Sequence, residues 1–185
     1  MTGYPTILFL NGDGKVEGII VGYKPADGFS QDLTKFVTAH RDLPALEARY
    51  KANPADATTA AKLASIYAGK GEIQKAEAAL ANAAKADPGN STGLLASTYN
   101  AIGDYYQEKH QIDKAVPEFE KGAKAAKTPY DRAYAYISIA ACRFEQQKPK
   151  DAIPALDAVL ATKGAPAEFT DQAKQMLAAA KQAPK

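Results

Sequence analysis

Residues 63–83 read LASIYAGKGEIQKAEAALANA, and this stretch decides the fold. Leu63, Ala64 and Tyr67 recur at helical spacing, Gly71 offers a turn, and Ala76, Leu80 and Ala83 recur on a second run that ends at Asp87-Pro88. Two helices joined by a tight turn make a hairpin. The pattern returns twice. Gln111-Ile112-Asp113-Lys114-Ala115 and Lys148-Pro149-Lys150-Asp151-Ala152 align with Gly71-Glu72-Ile73-Gln74-Lys75-Ala76, so the anchor alanines Ala76, Ala115 and Ala152 lie 39 and 37 residues apart. The second unit supplies Tyr99, Ile102, Gly103, Tyr106, Phe119 and Gly122, and the third Tyr136, Ile139, Ala140, Leu156 and Val159 at equivalent places. A period of this length marks a stacked array of helical hairpins.

The composition of the pattern has a packing reason. Small residues (Ala64, Gly103 and Ala140; Ala76, Ala115 and Ala152) let paired helices approach closely, while large ones fill the layer between hairpins. Pro117 and Pro154 fall two residues after Ala115 and Ala152, and Pro44 falls two after Asp42. Asp42 is placed as an N-cap with Pro44 in a first turn, so a helix over 43–53 reads as the orphan second helix of a degenerate leading unit. Arg143 stands where the other units have Tyr67 and Tyr106, and His110 and Gln147 replace the turn glycine, which makes the third unit the least typical. From Pro166 to Lys181, Phe169, Ala173, Met176 and Leu177 share one face, as a capping helix requires.

These units resemble the tetratricopeptide repeat. The resemblance implies a mainly α fold, an α-α superhelix of about three repeats near 57–90, 96–129 and 133–164 with a capping helix over 166–181. It also implies that the first helices form a concave face that holds a protein or peptide partner. By register that face includes Thr58, Ala61 and Ser65, then Ser97, Asn100, Asp104 and Gln107, then Tyr134, Ile137, Ala141 and Phe144. Family members that grip a C-terminal carboxylate use lysine, asparagine and arginine there, whereas Ala61, Ser65, Ala101, Tyr134 and Ser138 stand here. An apolar or aromatic anchor at Tyr134, Ile137 and Phe144 is expected instead, with Asn100 and Asp104 holding a backbone or a basic side chain and Gln107 beside them on the same partner-binding face. The competing expectation is that this face meets only the capping helix or solvent.

The segment before residue 26 is of another kind. Thr6–Leu10 and Val16–Val21 are apolar runs separated by Asn11-Gly12-Asp13-Gly14, which predicts an antiparallel hairpin. The first run lacks polar alternation and reads as a strand buried on both faces. Phe29, Leu33, Phe36 and Val37 then form a helical stripe over 26–39. With Tyr4-Pro5-Thr6 in front, this order resembles the C-terminal half of the thioredoxin fold, and the resemblance implies a cis peptide before Pro5. The family's first half, with its CxxC pair, has no counterpart here. Two expectations stay open, a partial thioredoxin-like ββα segment over 1–40 ahead of a helical array over 41–185, or a plain ββα cap. Open strand edges also make pairing of two copies through the hairpin an expectation.

Composition narrows the function. The 185 residues carry 23 basic and 21 acidic side chains, a net charge of +2, with both signs interspersed, so a nucleic-acid partner is not expected. A single cysteine, Cys142, leaves no disulfide or CxxC pair within this chain, and its apolar helix reads as packing. His40 and His110 lack the neighbours of a metal site, and Gly12-Asp13-Gly14 lacks the lysine of a phosphate loop and the ligand ladder of a calcium loop. No run approaches the roughly 20 apolar residues of a membrane span, and the first residues lack a signal-peptide pattern. The expectation is a soluble, cytoplasmic or periplasmic scaffold or peripheral subunit, not an enzyme, with no cofactor. The alternative is the C-terminal part of a thiol-disulfide oxidoreductase or redox-linked chaperone.

Overall fold

The computed structural model of the chain describes residues 6–10, 12–14, 16–21 and 26–183. It is mainly helical and divides into two compact units, Met1–Asn53 and Pro54–Lys185. No described helix is long and apolar enough to cross a membrane.

In the first unit, β1 (Thr6–Leu10) and β2 (Val16–Val21) pair antiparallel, with Thr6 opposite Val21 and Leu8 opposite Ile19, and a bulge between Phe9 and Leu10. Both strands lie where the apolar runs placed them. Their burial differs from expectation. Leu8 is 50% and Leu10 57% exposed while Ile7 and Phe9 are half-buried, so β1 alternates instead of being covered on both faces. An uninterrupted apolar run specifies a strand but not which of its faces is covered. Tyr4 and Pro5 lie outside the described residues.

The helix α1 (Ala26–Ala52) overturns another expectation. It runs unbroken through Pro44, so the boundary expected between residues 40 and 41 falls inside it, and 43–53 is no separate second helix. Asp42 does not cap; its Oδ1 accepts a hydrogen bond from Arg41 Nε at 2.8 Å. A proline's missing N–H is tolerated at a first turn and costs about 3 kcal/mol in an interior, and the local sequence does not distinguish the two. Phe29 and Leu33 are half-buried, but Val37 is 52% exposed and leaves the stripe incomplete. The side chains of Phe36 and His40 lie outside the described ones.

The second unit is a row of helix pairs. They are α2 (Ala57–Gly69) with α3 (Ile73–Ala86), α4 (Leu95–Glu108) with α5 (Ile112–Ala125), and α6 (Pro129–Glu145) with α7 (Ile153–Ala161), followed by α8 (Ala167–Gln182). A 3-10 turn, Pro149–Ala152, leads into α7, so Pro154 sits at its start, whereas Pro117 lies inside α5. Helix α6 begins at Pro129, four residues before the expected third unit, capped by Thr128 Oγ1 accepting from the Asp131 N–H at 3.0 Å.

The three hairpin turns share one geometry. Gly71, His110 and Gln147 all have positive φ (74°, 56° and 59°). Behind each, the next residue's N–H reaches back five positions: Glu72 to Tyr67 O, Gln111 to Tyr106 O and Lys148 to Arg143 O, at 2.8, 2.9 and 2.9 Å. This is the Schellman arrangement, which favours glycine. The Lys75 ammonium lies over the Tyr67 ring and that of Lys114 over Tyr106, both 5.2 Å from the centroid, a repeated contact that Arg143 interrupts in the third pair.

The core runs along the seams. Leu63, Ile102, Phe119, Leu156 and Val159 are fully buried, and the anchor alanines Ala76, Ala115 and Ala152 are at 0% exposure. A Cβ added at Gly103 would lie 2.7 Å from Phe119 Cε1, so this glycine makes room for the ring of the paired helix. The first helices contact one another in succession, α2 with α4, α4 with α6 and α6 with α8. The second helices pack chiefly on flanking first helices.

Candidate functional site

The first helices supply the face to which the sequence assigned a partner. Asp104 and Gln107 on α4, with neighbouring Glu108, and Tyr134 on α6 line a cleft of about 450 Å³. The Tyr134 hydroxyl donates to Asp104 Oδ1 at 2.8 Å, tying α4 to α6. Burial raises the Asp104 carboxyl to about 6, partly offset by that hydrogen bond, with Glu108 adding repulsion. At neutral pH Asp104 is therefore mostly ionised. Tyr134 is raised well above its ordinary value, first by burial and then by Asp104, so it stays a donor.

The aromatic end of this face is partly covered. Tyr134 lies 6.1 Å from Phe169 of α8, edge to face, and Tyr130 stacks near Tyr134 at 6.3 Å and 15° while meeting Phe169 at 5.3 Å. Tyr130 remains 50% exposed. Its position was missed because α6 begins before the expected unit; Thr128-Pro129 was the available signal, a cap followed by a helix-starting proline.

The remaining expected residues separate into surface and interior. Thr58 and Ser97 are exposed, and Ser65, Ala141 and Phe144 are half-buried. Asn100, Ala61 and Ile137 are not surface groups, at 4%, 1% and 5% exposure. Asn100 Nδ2 donates to Asp131 O at 3.3 Å, and its Oδ1, buried without a hydrogen-bond partner, lies where a Cβ on Gly122 would come within 2.2 Å. Asn100 thus joins α4, α5 and α6 as a packing residue. Ile137 is excluded as an exposed anchor for the same reason, since it turns into the seam.

The groups weighed for chemistry are placed plainly. Cys142 is fully buried, and burial pushes its thiol up to about 11. His110 is exposed, with Nδ1 on Glu145 Oε1. No group of three or more metal-ligating side chains occurs among the described residues. Gly12-Asp13-Gly14 is the hairpin turn, exposed throughout.

Sequence reasoning also missed a structural lock between the first two pairs. Asp87 accepts from the N–H and hydroxyl of both Ser91 and Thr92, at 2.7 to 2.9 Å, and these bonds hold its carboxyl far below the ordinary range. Asn90, left-handed at φ 48°, donates to Ala125 O at 2.8 Å and accepts from the Leu95 N–H at 3.1 Å. The run Asp87-Pro88-Gly89-Asn90 carries the signal, because Asx side chains tolerate this conformation and bond nearby backbone. No protein-family model matches the chain, and no curated protein is significantly similar to it.

Proposed function

We propose that this chain is a non-catalytic scaffold or peripheral subunit whose tetratricopeptide-type array holds a protein or peptide partner on the face of its first helices. One observation carries the reading. A row whose first helices touch in succession, while the second helices pack chiefly on their flanks, closes on the first-helix side and gathers that side's residues into one surface. On that surface the cleft at Asp104, Gln107, Glu108 and Tyr134 offers a carboxylate fixed by a tyrosine hydroxyl beside an aromatic edge. Such a site suits a basic or hydrogen-bonding side chain followed by an apolar one. The thioredoxin-like reading of residues 1–40 rests on the strand, turn, strand and helix order alone, and Pro5, on which it turns, lies outside the described residues.

The test is affinity capture with the full chain, comparing wild type with the double substitution Gln107→Arg and Glu108→Arg. Both side chains border the cleft, and neither makes a side-chain hydrogen bond among the described residues. The expected result is loss of a reproducibly co-purifying protein at unchanged helicity and Tm. Equal recovery of the same partner would contradict the proposal.

A further inference from the structure

A second cleft lies away from that face, between the start of α6 and the end of α7. It has a volume of about 480 Å³. Three cationic side chains line it from three places in the chain: Lys127 before α6, Arg132 in the first turns of α6, and Lys163 just after α7. Tyr136 lines it as well, with Thr128 and Thr162 at its rim, and no carboxylate is among its lining residues.

This grouping differs from the other charged pairs of the array. Lys75, Lys121 and Lys174 each pair with an acid three residues away, at Glu72, Glu118 and Asp171. Lys163 has no acid three or four positions to either side, and the one near Lys127, Asp131, accepts from Thr128 Oγ1 at 2.6 Å. The Arg132 guanidinium is positioned by Nη2 donating to Ala126 O at 2.8 Å, which leaves further N–H donors on the same fork. Like charges around one depression repel, and an anion placed among them removes that repulsion. The apolar part of the lining, half-buried Ala158 and exposed Ala161 with the Tyr136 ring, offers such an anion an apolar surface to pack on.

We propose that this cleft binds a small organic anion, whose phosphate or carboxylate oxygens are held by Lys127, Arg132 and Lys163 and whose carbon skeleton packs on Tyr136. The site is independent of the partner face, which lies on other residues. The test titrates the full chain with inorganic phosphate, and separately with citrate, at ionic strength matched with chloride, following backbone amide shifts by NMR. The expected result is saturable shifts confined to residues 127–136 and 158–163. Saturation by phosphate alone assigns the phosphate source, by citrate alone the carboxylate source, and by both the shared chemistry. The exposed pair Lys127→Gln and Lys163→Gln is expected to weaken binding at least about tenfold at unchanged Tm, as loss of charged hydrogen bonds implies. Absence of saturation overturns the proposal. So do shifts spread over lysines throughout the array, or unchanged affinity in the double variant.

Discussion

Gly103 and Asn90 show how much single residues decide here. Gly103 faces Phe119 so closely that alanine, a better helix former, has no room, so Gly103→Ala is expected to destabilise by about 1–3 kcal/mol in urea unfolding. A gain in stability would mean that the helices separate freely. Asn90→Ala removes two hydrogen bonds and forces alanine into a left-handed conformation, and is expected to cost about 2–3 kcal/mol. The buried Asp87 and the half-buried Asp104 act in opposite directions. The Asp104 value, about 6, lies above its ordinary 3.8, so its contribution is complete below pH 3.8 and is lost as pH rises through 6. Asp104→Asn keeps an acceptor for Tyr134 and is expected to flatten this part of the curve, raising stability at pH 7 by about 2 kcal/mol. Asp87 is depressed, so its contribution is present above pH 3.8 and lost only as pH falls through its folded value. Urea melts of Asp104→Asn and Asp87→Asn, carried from pH 8 down to about pH 2, check the two signs, the Asp87 contribution declining only below pH 3.8.

At the scale of elements, the turns were the most legible part of the sequence and the helix ends the least. Gly71, His110 and Gln147 stand at equivalent distances from the anchor alanines, and the backbone repeats at all three although only one is glycine. Since Gln147 makes the turn against its preference, Gln147→Gly is expected to stabilise by about 0.5–1 kcal/mol, seen as a raised Tm. The hairpin strands were legible for a similar reason, as Gly12, Asp13 and Gly14 separate two apolar runs. Pro44 misled because it fits a helix start without cost, whereas α1 continues through it despite the penalty an interior proline carries. Asn100 and Ile137 misled because register along α4 and α6 gives the side of the helix but not how closely the next helix approaches. The cationic cleft escaped notice because its residues belong to two helix ends and a loop, which no single periodicity joins.

For the array as a whole, the aromatic group on α6 and α8 is the point at which packing and binding meet. Tyr134 contacts Phe169, and its hydroxyl holds Asp104, so replacing it with alanine would disturb both the capping helix and the cleft. Tyr134→Phe keeps the ring and isolates the hydroxyl. The central claim is that the row of first helices is the surface a partner occupies. It is tested most directly by placing a photoreactive crosslinker at Gln107, on the cleft, or at Glu120, exposed on α5, in the full chain within its native extract. The account predicts one discrete crosslinked partner from Gln107, abolished by Glu108→Arg, and none of that mass from Glu120. The same product from both positions, or from Glu120 alone, would contradict it.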